Sequence, residues 1–180
     1  MLFEINEDTR KKAKSPHELF MLNLLGFNLL AAPASIALDV GMAGLLIPLV
    51  LSLSVVSYIW IRAVRPAQDT PWFVIAHWKL AANRSRILLA GYIISAAIIG
   101  LALIVASGSD KAEILIVALT RVAIVPTLLT VMVCFALESS GIFMAGKAEL
   151  PNDMVKKFPP PADVMVKEDP AANSGDTASK

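Results

Sequence analysis

The chain has 180 residues, of which 56% are hydrophobic and only 17% charged, whereas soluble domains run at roughly 45–50% apolar and about 25% charged. A net charge of +1 gives no electrostatic reason to expect nucleic acid as a partner. The single cysteine, Cys134, excludes an intrachain disulfide and a cysteine-only metal cluster.

Residues 1–18 mix Glu4, Glu7 and Asp8 with Arg10, Lys11, Lys12 and Lys14. A secretory signal would open on a basic stretch and carry a shorter apolar run, so this segment reads as a cytoplasmic lead into an uncleaved first span. A membrane-spanning helix needs about 20 mostly apolar residues. Four runs meet that need: about 19–38, 42–64, 87–106 and 114–137. The first is the most polar, with Asn23, Asn28, Pro33 and Ser35; only Asp39-Val40-Gly41 separates it from the second. So short a link implies an antiparallel hairpin, and Ser107-Gly108-Ser109 implies another between the third and fourth runs.

Between the second and third runs, Thr70 before Pro71 predicts a helix start, with Thr70 as the cap and Pro71 in the first turn. Trp72, Phe73 and Trp78 favour the headgroup level, so 70–86 is expected as a separate interfacial helix; a downward extension of the third span is the rival. Residues 138–180 form a cytoplasmic tail. From about 150 its prolines (Pro151, Pro159, Pro160, Pro161, Pro170) and scarce large apolar residues predict disorder.

Cations fix the expected orientation. They cluster before the first run, between the second and third (Arg62, Arg65, Lys79, Arg84, Arg86) and after the fourth, while the two short loops hold only Lys111. The positive-inside rule then places both termini in the cytoplasm. The expected fold is an all-α membrane protein of four transmembrane helices in two hairpins.

Arg121 lies seven residues into the fourth run, where a charge costs at least about 2.5–3.5 kcal/mol at mid-span. Snorkelling to lipid phosphate, or pairing with Asp39, Asp110 or Glu113, would relieve it. Asn23 and Asn28 predict interhelical hydrogen bonds. Together Arg121, Asn23, Asn28 and Asp39 form a candidate intramembrane polar site. Small residues four apart (Gly44, Pro48, Ser52; Gly91, Ser95; Ala96, Gly100) predict close helix contacts. His17 and His77 read as ordinary interfacial histidines rather than haem ligands, and Glu138 as a boundary residue. Trp72, His77, Trp78, Lys79, Arg84 and Arg86 form a candidate patch for anionic lipid headgroups or a cytoplasmic partner.

No phosphate loop, zinc motif or nucleophile elbow is present. The sequence therefore predicts a non-enzymatic subunit, without cofactor, of a larger inner-membrane assembly for transport, secretion or respiration. Its partners would be other membrane subunits or further copies of itself. The alternative is a self-associating channel or small transporter whose polar path uses Arg121, Asn23 and Asn28.

Overall fold

The computed structural model describes residues 1–38, 41–108 and 110–167. Its helices are α1 (Glu7–Asn23), a π-helical stretch (Leu24–Ala31), α2 (Ala32–Ala37), α3 (Gly41–Val64), α4 (Trp72–Ala106), α5 (Ala112–Gly146) and α6 (Asn152–Lys157). Two short strands, β1 (Leu2–Phe3) and β2 (Val166–Lys167), pair antiparallel.

Three stretches are long and apolar enough to cross a membrane: Leu46–Val64 in α3, and the whole of α4 and of α5. These are the mark of a membrane protein. The expected run at 19–38 is divided among the end of α1, the π-helical stretch and α2, none of which alone reaches spanning length. Local chemistry accounts for the change of pitch. The Asn28 side-chain amide caps the Asn23 carbonyl five residues back, at 3.1 Å, and the backbone N–H of Ala32 reaches Phe27 O, also five back. Pro33 has no N–H for the ordinary α bond and crowds the carbonyl before it.

α1 starts where its sequence says it should. The Asn6 side chain accepts from Thr9 N–H at 2.8 Å, capping the orphan donors of the first turn. Glu7 and Asp8 follow, favourable at the positive end of a helix, and pair one turn on with Lys11 and Lys12. The hydrogen bond and charge of Lys12 hold the Asp8 carboxyl below its ordinary range.

α4 and α5 run antiparallel, with Arg84 against Leu137, Gly91 against Thr130 and Ser95 against Thr127. Each has 35 residues, or about 52 Å by helix rise. A bilayer core takes about 30 Å, so some 20 Å must stand outside it. Burial shows which end protrudes. The exposed large apolar residues of α4 begin at Ile93, whereas Phe73, Val74, Trp78, Leu80 and Leu88 are buried.

The protruding parts of α4 and α5 pack with α1 into a base that also holds both chain ends. The Met1 ammonium donates to Leu150 O at 2.8 Å, and Leu150 N–H donates back to Met1 O at 3.0 Å. The Trp72 and Phe158 rings stack at 6.0 Å.

Two expectations are corrected here. No separate interfacial helix exists at 70–86; α4 continues unbroken from Trp72, because no glycine or proline interrupts residues 72–90 and α1 and α5 bury this part. Thr70 does not cap it: its hydroxyl donates to Ala67 O at 2.7 Å, while Pro71 O accepts from Val74 and Ile75. Nor is the tail irregular from 150. Residues 150–167 hold α6 and β2, with Leu150 fully buried and Met154, Val155, Phe158 and Val164 on the core. A few well-spaced apolar side chains outweigh the prolines. The expectation for 168–180 lies outside the described residues.

Candidate functional site

The base encloses a chain of buried ionisable groups drawn from three helices. On α1 the inward stripe is Ala13, His17 and Phe20, continued by Leu24 of the π-helical stretch; on α4 it is Phe73, His77, Ala81, Arg84 and Leu88; on α5 it is Val131, Cys134, Glu138, Gly141 and Ala145. All follow the three-and-four spacing of a helix face turned to a core. The charged residues occupy positions where apolar ones would ordinarily sit.

His17 is the centre. Its Nδ1 lies 2.5 Å from Glu138 Oε2, and its Nε2 lies 2.9 Å from His77 Nδ1. All three side chains are fully buried. Arg84 adds a positive charge, donating to Leu137 O at 2.5 Å and standing 3.7 Å from Glu138 Oε1. That last distance is an ion pair rather than a hydrogen bond. Several proton arrangements satisfy the chain, including a protonated Glu138 that donates to His17 Nδ1 while His17 Nε2–H donates to His77. In others His17 is doubly protonated and donates both ways, or it donates through Nδ1 and accepts from His77 Nδ1–H. The arrangement can relay a proton between Glu138 and His77, and it ties α1 to α4 and α5.

Gly141 makes the room. A Cβ there would fall 2.5 Å from His17 Nδ1 and 2.8 Å from Arg84 Nη1. Among the described residues no group of three histidine, cysteine or acidic side chains could hold a metal ion.

A second polar set lies farther along the bundle. Tyr92 Oη donates to Asn28 Oδ1 at 2.5 Å, Asn28 Nδ2 donates to Ser52 Oγ at 3.3 Å, and Ser52 Oγ lies 2.7 Å from Tyr92 Oη. With Ser52 donating, the three groups close a ring that joins the π-helical stretch to α3 and α4. Asn23 is also buried, yet among the described residues its side-chain amide has no hydrogen-bond partner.

Of the residues expected to form one intramembrane site, Asn23 and Asn28 are neighbours, the Asn28 side chain bonding to Asn23 O. Arg121 is exposed on α5, away from the Asn28 ring, and Asp39 lies outside the described residues. The expected surface patch also divides. His77 and Arg84 turn inward to Glu138. Trp72 stacks on Phe158, and Trp78 is buried beside Tyr58 and Arg62. Lys79, Arg84 and Arg86 border a common cavity with Lys157, although the Arg84 guanidinium is committed inward.

The expectation that His17 and His77 are ordinary interfacial residues, and Glu138 a boundary residue, is corrected by the buried chain they form. The signal available was positional: each lies on its helix's inward stripe.

No family model, curated protein or solved structure matches this chain.

Proposed function

We propose that this protein is a non-enzymatic subunit of a larger assembly in a cell inner membrane, of the transport, secretion or respiratory kind. Four crossings, with the base and both termini in the cytoplasm, fit the cation distribution; the tip loops offer only Lys111.

The observation that carries this reading is the surroundings of Arg121. Ile114, Val117, Arg121, Val125, Leu128 and Met132 follow helical spacing along α5, and every one is exposed. Among the described residues no ion pair with Arg121 occurs. A guanidinium in hydrocarbon costs about 2.5–3.5 kcal/mol on the insertion scale. An acidic or amide side chain from a neighbouring subunit, seated on this stripe, would offset that cost.

The channel reading gains less support, because Asn28 is closed into its ring with Ser52 and Tyr92 rather than aligned with Arg121. The test is the mass of the complex in mild detergent on a native gel. Wild-type protein should migrate as an assembly containing other chains, and Arg121→Leu should shift it toward the single chain. A lone chain in both samples would overturn the reading; a ring of this chain alone would restore the channel.

A further inference from the structure

An open-sided cavity of about 760 Å³ lies where α3 ends against α4 and α6. Its volume falls within the range of about 300–1,000 Å³ usual for small-molecule sites. One wall is cationic. Lys79, Arg86 and Lys157 line it, and none of the three has an ion-pair partner among the described residues. Aromatic rings hold two of them in place: Lys79 Nζ sits 4.4 Å from the Phe158 ring centre, and the Arg86 guanidinium 5.5 Å from that of Trp60. Arg84 also borders the cavity but is committed inward to Leu137 O and Glu138. Among the described residues Asp153 is the only acid on the lining.

The lining also has an apolar wall, made by Val64, Ile87, Leu137 and Met154. It sits at the level where α3 ends and α4 passes from buried base to exposed apolar surface. A free anion would use the cations and leave this wall unoccupied. A zwitterionic lipid would use the wall and bring its own cation against Lys79 and Arg86.

We propose that this cavity is a binding site for an anionic phospholipid. The headgroup phosphate lies among Lys79, Arg86 and Lys157, and an acyl chain runs along Val64, Ile87 and Leu137. This rests on the reading of α3, α4 and α5 as membrane helices. Basic residues of this kind add to the attraction of anionic lipid surfaces, while the fixed rings and apolar wall make the attraction local.

The full chain, stripped of lipid in detergent, would be mixed with phosphatidylglycerol, phosphatidylcholine or inorganic phosphate. Bound lipid is counted by native mass spectrometry, and the melting temperature is followed in parallel. Phosphatidylglycerol should be retained in preference to phosphatidylcholine and should raise the melting temperature. The preference should fall roughly fivefold for each cation removed, in Lys157→Gln, Arg86→Gln and Lys79→Gln. Lys11→Gln, on the far side of α1, should keep it. Lys157 is exposed, so its variant leaves the fold intact if Lys79→Gln does not. Equal retention of the two lipids would overturn the site, as would an equal shift with inorganic phosphate or an equal loss in Lys11→Gln. Failure of the protein to enter vesicles of either lipid would overturn the membrane reading beneath it, an outcome distinct from insertion without preference.

Discussion

His17 Nε2 and His77 Nδ1 stand 2.9 Å apart, both rings fully buried, with the other His17 nitrogen 2.5 Å from the Glu138 carboxylate. Taking charges and imidazoles out of water is costly unless each finds a partner. The pair therefore has a large consequence when broken. His17→Leu removes both bonds at once and should cost about 3–5 kcal/mol, the range for breaking a buried ion pair from one side. His77→Leu leaves one ring nitrogen unpaired and should cost about 1–3 kcal/mol. Adding Glu138→Leu to His17→Leu should recover part of the loss. Chemical unfolding in detergent reads all three; additive losses in the double variant would contradict the coupling.

The glycines of α4 and α5 give a graded test of packing. Alanine is worth about 1 kcal/mol over glycine in a helix, so Gly100→Ala, with nothing within 4 Å, should raise the melting temperature slightly. Gly141→Ala should lower it, since the new methyl meets the His17 ring and Arg84. Gly91→Ala should lower it as well by running into Thr130, and Thr130→Ala should relieve the loss. A melting series in one detergent checks the order.

Leu150 shows whether the tail belongs to the base. Fully buried, it should cost about 2–5 kcal/mol when cut to alanine. Hydrogen exchange at β1 and the start of α1 should rise with it. Unchanged exchange in Leu150→Ala would mean that residues 150–167 do not hold the chain ends together.

Much of this architecture was legible in the sequence. The apolar runs at 42–64, 87–106 and 114–137 lie within α3, α4 and α5, because length and hydropathy suffice to recognise a spanning helix. What hydropathy misses is the part of a helix beyond the bilayer. Residues 72–86 are too polar for a membrane span, yet they continue α4 because nothing breaks the helix and α1 shields them. The buried chain was missed for a related reason: His17, His77 and Glu138 are far apart in sequence, and only the three-helix base brings them together. The Asn28 amide was read as an interhelical bond-former, and its bonds to Ser52 and Tyr92 are of that kind.

Orientation is tested by reporter fusions. Fusions after Gln68 and Lys147 should report the cytoplasm, and one after Ser107 the opposite side. A cytoplasmic signal at Ser107 would contradict the topology.

The stripe around Arg121 gives the most direct test of membership in a larger assembly. A photo-crosslinking amino acid at Val125, one turn from Arg121 and exposed, would be activated in native membranes and the adducts identified by mass. The account predicts a discrete adduct to one other membrane protein, lost when Arg121 is replaced by leucine. Adducts to lipid alone, unchanged in Arg121→Leu, would contradict it.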